Sequence, residues 1–364
     1  QVTTSVTAIA TEDFGTGSSI TLTSSADNKS GTVDNDIFYA LNSGDLGSSD
    51  VVDGGAGGAD KIIAKVAVAT TNRPVLKNIE YVNYETVDDT ADSAGTLTLN
   101  LDQSTGVETV DVETSANGDG TADTYVVKGI STDVSVIFTD DTGGTGRENN
   151  LTVTYNAVTG TADSATIQVN STSAAATLGS ITAAGIETLT VNSNGGADAS
   201  YTIRGDDATT LNIQAAASSG GTVSAYAESA TSVVVTAADD LTLSDSTERL
   251  DKAFSYTFDV ASGATVTAQD ISPVDTTKAD TLKFTVKGAG KAIIDSDVNW
   301  QYQDSVNNDT VEVDASANTG GVTMDFGGYT TNDATTSKFT GGSGADTVAI
   351  KAGGLGTGDS VTGG

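Results

Sequence analysis

Apolar residues along this chain recur at every second position in short runs. Leu97, Leu99 and Leu101 form one such run, and Val134, Val136 and Phe138 another. Leu151, Val153 and Tyr155, then Leu282, Phe284 and Val286, repeat the pattern. A period of two sends alternate side chains to opposite faces of a strand, and β-branched residues suit that pleated surface. Between the runs lie clusters of Gly, Asn, Asp and Ser, the residues that turns favour. The pattern predicts strands of about four to seven residues almost throughout. Only the segment from Asp245 to Ala253 admits a short helix.

The runs also resemble one another. Asn78-Ile79-Glu80-Tyr81-Val82, Gly106-Val107-Glu108-Thr109-Val110 and Gly185-Ile186-Glu187-Thr188-Leu189 share one form, with a small or polar residue first and Glu third. Looser copies run from Ala208 to Ile213 and from Ala230 to Val235. The copies around residues 186, 211 and 233 are spaced like the turns of a solenoid, in which inward apolar residues stack on their neighbours. The expected fold is therefore all-β, an elongated parallel β-helix or β-solenoid, with β-sandwich-like portions as the alternative for strands that only look alike. Three glutamates at one repeat position read as a stack or a turn cap rather than as three active sites. Soft boundaries fall near residues 70, 145 and 245, at Gly/Asp clusters such as 117–120, 140–146 and 194–198.

Composition narrows the chemistry. The 364 residues carry 49 acidic and 16 basic side chains, a net charge of −33. Nucleic acid and anionic membrane surfaces would repel such a chain, and no apolar run is long enough to span a bilayer. Cysteine and histidine are both absent. Disulfides, thiolate metal sites, H-E-x-x-H zinc sites and Ser-His-Asp triads are thereby excluded. No secretory signal pattern opens the chain at Gln1, which reads as a mature portion or as a chain exported by a signal elsewhere. Folding this many carboxylates compactly calls for cations.

One nonapeptide says which cation. Gly341-Gly342-Ser343-Gly344-Ala345-Asp346-Thr347-Val348-Ala349 fits the G-G-x-G-x-D-x-U-x pattern of calcium-binding parallel β-rolls position for position. Glycines permit the tight turn and expose carbonyls, Asp supplies a hard carboxylate oxygen, and the apolar residue opens a strand. Candidate ligands are the Asp346 carboxylate and the carbonyls of Gly342 and Gly344, with Asp359 on the following turn as partner. A degenerate copy, Gly31 to Tyr39, opens a second acidic region in which Asp34, Asn35, Asp36, Asp45, Asp50, Asp53 and Asp60 are interleaved with glycines. The turn Gly54 to Asp60 carries one extra residue before its Asp. Solvated acidic turns are the bland alternative for both regions. Residues Ser30–Gly55 and Thr340–Gly364 correspond, Asp36 with Asp346 and Asp50 with Asp359, as if a second copy of the first module begins where the sequence ends.

Weaker candidates remain. Asn117, Asp119 and Asp123 place oxygens as a calcium loop does, but an Asx-turn without metal fits equally. The pairs Asp140-Asp141, Asp206-Asp207 and Asp239-Asp240 have no spacing that fixes a glycosidase geometry. Trp300 and Tyr302 are the one local aromatic pair for sugar stacking. Asn28, Asn150, Asn170 and Asn308 open N-x-S/T triplets at a rate ordinary for this composition. Lys283, Lys287, Lys291 and Arg249 are sparse for a His-free polysaccharide lyase or hydrolase.

Three segments carry a family likeness: Ser30–Ile63 followed by 76–80, the run Gly185–Val191, and Val313–Val322 leading into 338–346. Together they resemble the large RTX-type surface proteins of Gram-negative bacteria, especially calcium-dependent S-layer proteins and related adhesins. That resemblance implies type I secretion, Ca²⁺-driven folding outside the cell, and assembly with copies of itself into a lattice or sheath on the bacterial surface, with cell-surface polysaccharide as a further partner. The missing histidines and sparse basic residues argue against an enzyme, and the acidic charge and short apolar runs against membrane insertion. The chain departs from the family in having few tandem nonapeptides and no visible secretion signal or anchor. On this reading residues 1–70 are an acidic RTX-like calcium module, 71–245 central solenoid rungs, 246–337 a β-rich domain, and 338–364 the start of a second calcium module. A solitary adhesin and a His-free β-helix enzyme are the competing functions.

Overall fold

The structure, a computed structural model, describes residues 17–67, 69–86, 94–114, 122–140, 148–171, 176–194, 198–245, 250, 252–269, 271, 281–295, 310–326, 336–350 and 356–364. The fold is an all-β parallel β-solenoid. Among the described residues there is no helix, and every strand pairing is parallel, so no β-sandwich-like portion occurs there. Of the Asp245–Ala253 segment, residues 246–249 and 251 lie outside the described residues; the others form turns and coil. The chain divides into two compact units, Gln1–Ala184 and Gly185–Gly364.

In the first unit one sheet is built, in chain order, from Ser19–Thr21, Ile37–Ala40, Lys61–Val66, Tyr81–Thr86, Thr109–Thr114, Ser135–Asp140 and Ser164–Ser171. A second sheet holds Thr71–Asn72, Thr96–Asn100, Thr124–Ile130, Asn150–Tyr155 and Ala176–Ala184. A short third sheet, Asn28–Ser30, Val51–Asp53 and Val75–Lys77, closes the N-terminal rungs, and a single bridge from Lys77 to Thr105 ends it. Because each turn of chain returns to the same sheet, neighbours necessarily run parallel. Register stacks Phe38, Ile62, Val82, Val110, Val136 and Ile167 in one buried column.

The second unit repeats the plan with two sheets. Its first contains Thr188–Ser193, Thr210–Ala215, Ser232–Ala237, Ser255–Val260, Thr281–Gly288, Thr310–Asn318, Thr336–Thr340 and Ser360–Thr362. Its second contains Ala199–Arg204, Gly221–Tyr226, Leu241–Ser244, Thr265–Gln269, Lys291–Ile294, Val322–Asp325 and Thr347–Ala349. Leu189, Leu211 and Val233 share a core column, and equivalent positions lie 22 residues apart. Further along, Tyr256 stacks on Phe284 with ring centroids 5.1 Å apart, and Phe258 lies 6.0 Å from Phe284.

The repeated Gly/Asn-apolar-Glu form has a conformational cause. Its first residue takes positive φ in all three copies: Asn78 at 50°, Gly106 at 88° and Gly185 at 75°. Only Gly, and next best Asn, tolerates that region cheaply. The Glu that follows presents its backbone carbonyl to two amides of the next rung. Glu80 O accepts from Glu108 N and Thr109 N, and Glu187 O from Thr209 N and Thr210 N, all at 2.9 Å. This position is a corner, and its glutamate turns the chain into the first sheet.

Candidate metal centre

Several of the acidic residues singled out in the sequence occupy strand entries. Asp36 immediately precedes Ile37–Ala40, Asp60 precedes Lys61–Val66, and Glu80 precedes Tyr81–Thr86. Their carboxylates form a ladder along this corner. Asp36 accepts the backbone N–H of Ser18 and that of Thr32, the latter at 2.5 Å. Asp60 Oδ1 accepts the Asp36 N–H at 2.6 Å, and Glu80 Oε2 accepts the Asp60 N–H at 2.7 Å. Each acid therefore caps the amide one rung earlier. A buried N–H needs an acceptor, and an ionised one makes the stronger bond.

The same device recurs at other corners. Asp50 takes the N–H of Asp27 at 2.8 Å and of Gly47 at 2.6 Å. Asp123 takes that of Gly95 at 2.8 Å, and its own N–H goes to Asn149 Oδ1 at 2.9 Å. In the second unit Asp346 accepts from Val322 at 2.9 Å and Gly342 at 3.1 Å. Asp359 accepts from Ser337 at 2.7 Å and Gly356 at 2.5 Å. Asp36 and Asp346 thus share one geometry, bonding the amide four residues upstream plus one a rung away. Asp50 and Asp359 share another, with the local donor three residues upstream. Asp346 precedes a strand of the second sheet and Asp359 a strand of the first, each accepting amides at its own corner.

Asp60 stands apart. It is fully buried, and its Oδ2 has no hydrogen-bond partner. Burial pushes its carboxyl above the usual range; the Asp36 amide offsets part of this, while the carboxylates of Glu80, Asp36 and Asp53 add to it. At Asp36 burial also raises the carboxyl, but the amides of Thr32 and Ser18 outweigh it and the net direction is down. What faces Asp60 Oδ2 is oxygen and glycine. A methyl group on Gly54 would collide with both the Asn78 carbonyl oxygen and Asp60 Oδ2. One on Gly57 would meet the Asp34 carbonyl oxygen and, at 3.0 Å, the same Oδ2. One on Gly31 would collide with the Gly54 carbonyl oxygen and Asp36 Oδ2.

A buried carboxylate oxygen beside carbonyl oxygens, with no donor, is relieved either by a proton on Oδ2 or by a cation between the oxygens. The donor set is entirely hard oxygen, which fits Ca²⁺ rather than a softer ion. It falls short of six to eight ligands, so water would complete the shell. Among the described residues, no three acidic side chains converge to hold a metal by themselves; carbonyls have to contribute.

The remaining candidates are distributed as follows. Asp34 is exposed and donates its N–H to Thr32 Oγ1 at 3.1 Å, while Asn35 Oδ1 accepts from Gly58 at 3.3 Å. Asp45 caps a turn through the Asn42 amide at 2.9 Å, and Asp53 holds Gly55 N and Asn78 Nδ2. Gly342 donates to Asp346, and Gly344 packs against Gly321 too closely for a methyl group. Asn117, Asp119, Trp300, Tyr302, Arg249 and Asn308 lie outside the described residues. Lys283 and Lys287 are engaged by Glu312 at 2.8 Å and Asp259 at 3.0 Å. Sequence reasoning missed Asp27 and Asn149; both precede strands, which was the available signal.

Replacing Asp346 by Ala leaves two amides without their acceptor. The expected loss is about 1–3 kcal/mol, confined by nearest-neighbour stacking to the last rungs. Hydrogen exchange should quicken in 336–350 and stay unchanged in the first unit. Comparison with known proteins finds no family model, no curated protein and no solved structure that matches this chain.

Proposed function

We propose that this chain is a structural, extracellular protein of a bacterial surface, which folds with Ca²⁺ and assembles with copies of itself into a layer or sheath. The observation carrying the calcium reading is Asp60 Oδ2, buried and unpartnered in a cradle of carbonyl oxygens. Neutralisation at this corner links cation binding to folding, because an unfolded chain does not hold the ligands together. The net charge of −33 gives assembly the same dependence, since copies repel until carboxylates are neutralised. In this reading the acids have no catalytic role: Asp36, Asp50, Asp60, Glu80, Asp123, Asp346 and Asp359 accept backbone amides between rungs. A solitary calcium-folded adhesin is the competing reading, and assembly is what separates the two.

Light scattering and electron microscopy of the purified chain, titrated with Ca²⁺ and then a chelator, test the proposal. Ordered sheets or filaments are expected to form with calcium and dissolve on chelation. A chain that stays monomeric at millimolar Ca²⁺ would contradict it.

A further inference from the structure

In the first unit, the connection from the second sheet back to the first changes length from rung to rung. It takes eight residues at 101–108, four at 131–134 and eight again at 156–163. Where it is short a cleft of about 310 Å³ opens, with Ile130, Ser131 and Val134 as its floor, 104–107 along one side and Asn156 on the other. One wall of this cleft is the last member of the third sheet. Thr105 donates its N–H to the Leu76 carbonyl at 2.8 Å and accepts the Asn78 N–H at 3.0 Å, so both groups face the strand Val75–Lys77. Across a trans peptide the C=O and N–H point in opposite directions. The Ser104 carbonyl and the Gly106 N–H therefore point away from the third sheet, on the side of the cleft. Among the described residues, neither has a hydrogen-bond partner. They flank Thr105 as the Leu76 carbonyl and the Asn78 N–H flank Lys77, and that earlier pair is what holds Thr105. The cleft is thus the place of a missing strand, with the pairing groups for one more parallel neighbour already set.

An open edge that offers one acceptor and one donor at this spacing selects an extended peptide. A residue beside Thr105 would continue the column of Lys77 and Thr105, both exposed. Its two neighbours would face inward, as Leu76 does, over the nearly buried Ile130 and Val134. Alternating polar and apolar side chains fit that arrangement. Local charge is balanced: Arg73, Lys77 and Lys128 stand near the cleft, as do Asp102, Glu108 and Asp133, and Arg73 pairs with Asp102 at 2.8 Å. The net charge of −33 therefore sets the preference at longer range. It draws a basic segment and repels an acidic one, a second copy of this chain included.

The geometry points to this cleft as a binding site for an extended basic peptide segment of another protein, added as a parallel strand beside residues 104–106. The site goes beyond the surface-layer reading and does not depend on assembly. The probe is an end-blocked hexapeptide that alternates lysine and valine, titrated into the full chain labelled with ¹⁵N-glycine. The Gly106 amide resonance is expected to shift, and its hydrogen exchange to slow by about tenfold or more. Two methylated peptides separate backbone pairing from charge. N-methylation of the lysines removes the N–H groups that face Ser104 and should weaken binding about tenfold or more. N-methylation of the valines, whose N–H groups point to the opposite edge, should leave binding nearly unchanged. A Gly106 amide unaffected by the peptide overturns the site. Equal affinity of the two methylated peptides does so too, since charge alone would then hold them. A Gly106 amide already protected in the free chain also overturns it, because the cleft is then filled by the chain itself or by a second copy.

Discussion

Replacing Asp36 by Ala is expected to destabilise the N-terminal rungs by about 2–4 kcal/mol, since three part-buried donors lose their acceptor and a donor left unpaired costs about 1–3 kcal/mol when fully buried and less where water reaches it. Asp36 is fully buried and holds the amides of Ser18 and Thr32 together with the Thr32 hydroxyl. Alanine leaves all three donors without an acceptor and opens space where the carboxylate stood. Rung-by-rung stability should confine the damage to the strands before Lys61–Val66. Urea unfolding with hydrogen exchange measures it: protection in 18–40 should collapse first, while the second unit keeps its exchange rates. A variant that melts within about 0.5 kcal/mol of wild type, the range of an ordinary surface substitution, would show that the ladder does not hold these rungs.

The second large effect lies in the core of the other unit. Phe284→Ala is expected to cost about 3–5 kcal/mol, the usual range for emptying a buried aromatic position. Phe284 is inaccessible to solvent, stacks on Tyr256 and touches Phe258. Its strand pairs with Ser255–Val260 on one side and Thr310–Asn318 on the other. A cavity there loosens both neighbours, so amide protection in those strands should fall together. Phe284→Leu, which refills most of the volume, should recover more than half of the loss. If Ala and Leu variants unfold at the same denaturant concentration as wild type, the stacked column is not the stabilising core of this unit.

The solenoid itself was legible because period-two alternation and a recurring corner motif say the same thing. Aligning Val82 with Val110, and Leu189 with Leu211 and Val233, by that motif reproduces the strand register residue for residue. The motif's first residue, Asn78, Gly106 or Gly185, was visible as small or polar, and its positive φ explains the choice. The third sheet was not legible, since strands of three residues such as Asn28–Ser30 are too short to show a period. Nor was the work of the aspartates. Sequence shows acids beside glycines, which suggests a cation, but the amide each one caps on another rung lies 18 to 28 residues away. That partner follows only from knowing which rung stacks on which. The ranking of sites shifted for a related reason. The nonapeptide Gly341–Ala349 matches the calcium pattern best, yet both oxygens of its Asp346 accept amides. The irregular turn before Asp60, with its extra residue, is where a carboxylate oxygen is left unpaired.

Thermal melting of the wild type and of Asp60→Asn, each in Ca²⁺ and in chelator, tests the calcium account most directly. Asparagine keeps the acceptor for the Asp36 amide and puts an NH₂ donor where Oδ2 faces the carbonyls. Wild type should gain about 1.4–2.7 kcal/mol at ten to a hundred times the calcium Kd. Asp60→Asn should be the more stable of the two in chelator and lose most of the calcium gain. A wild-type chain that melts identically with and without calcium, or an Asp60→Asn variant that responds to calcium as wild type does, would contradict the account.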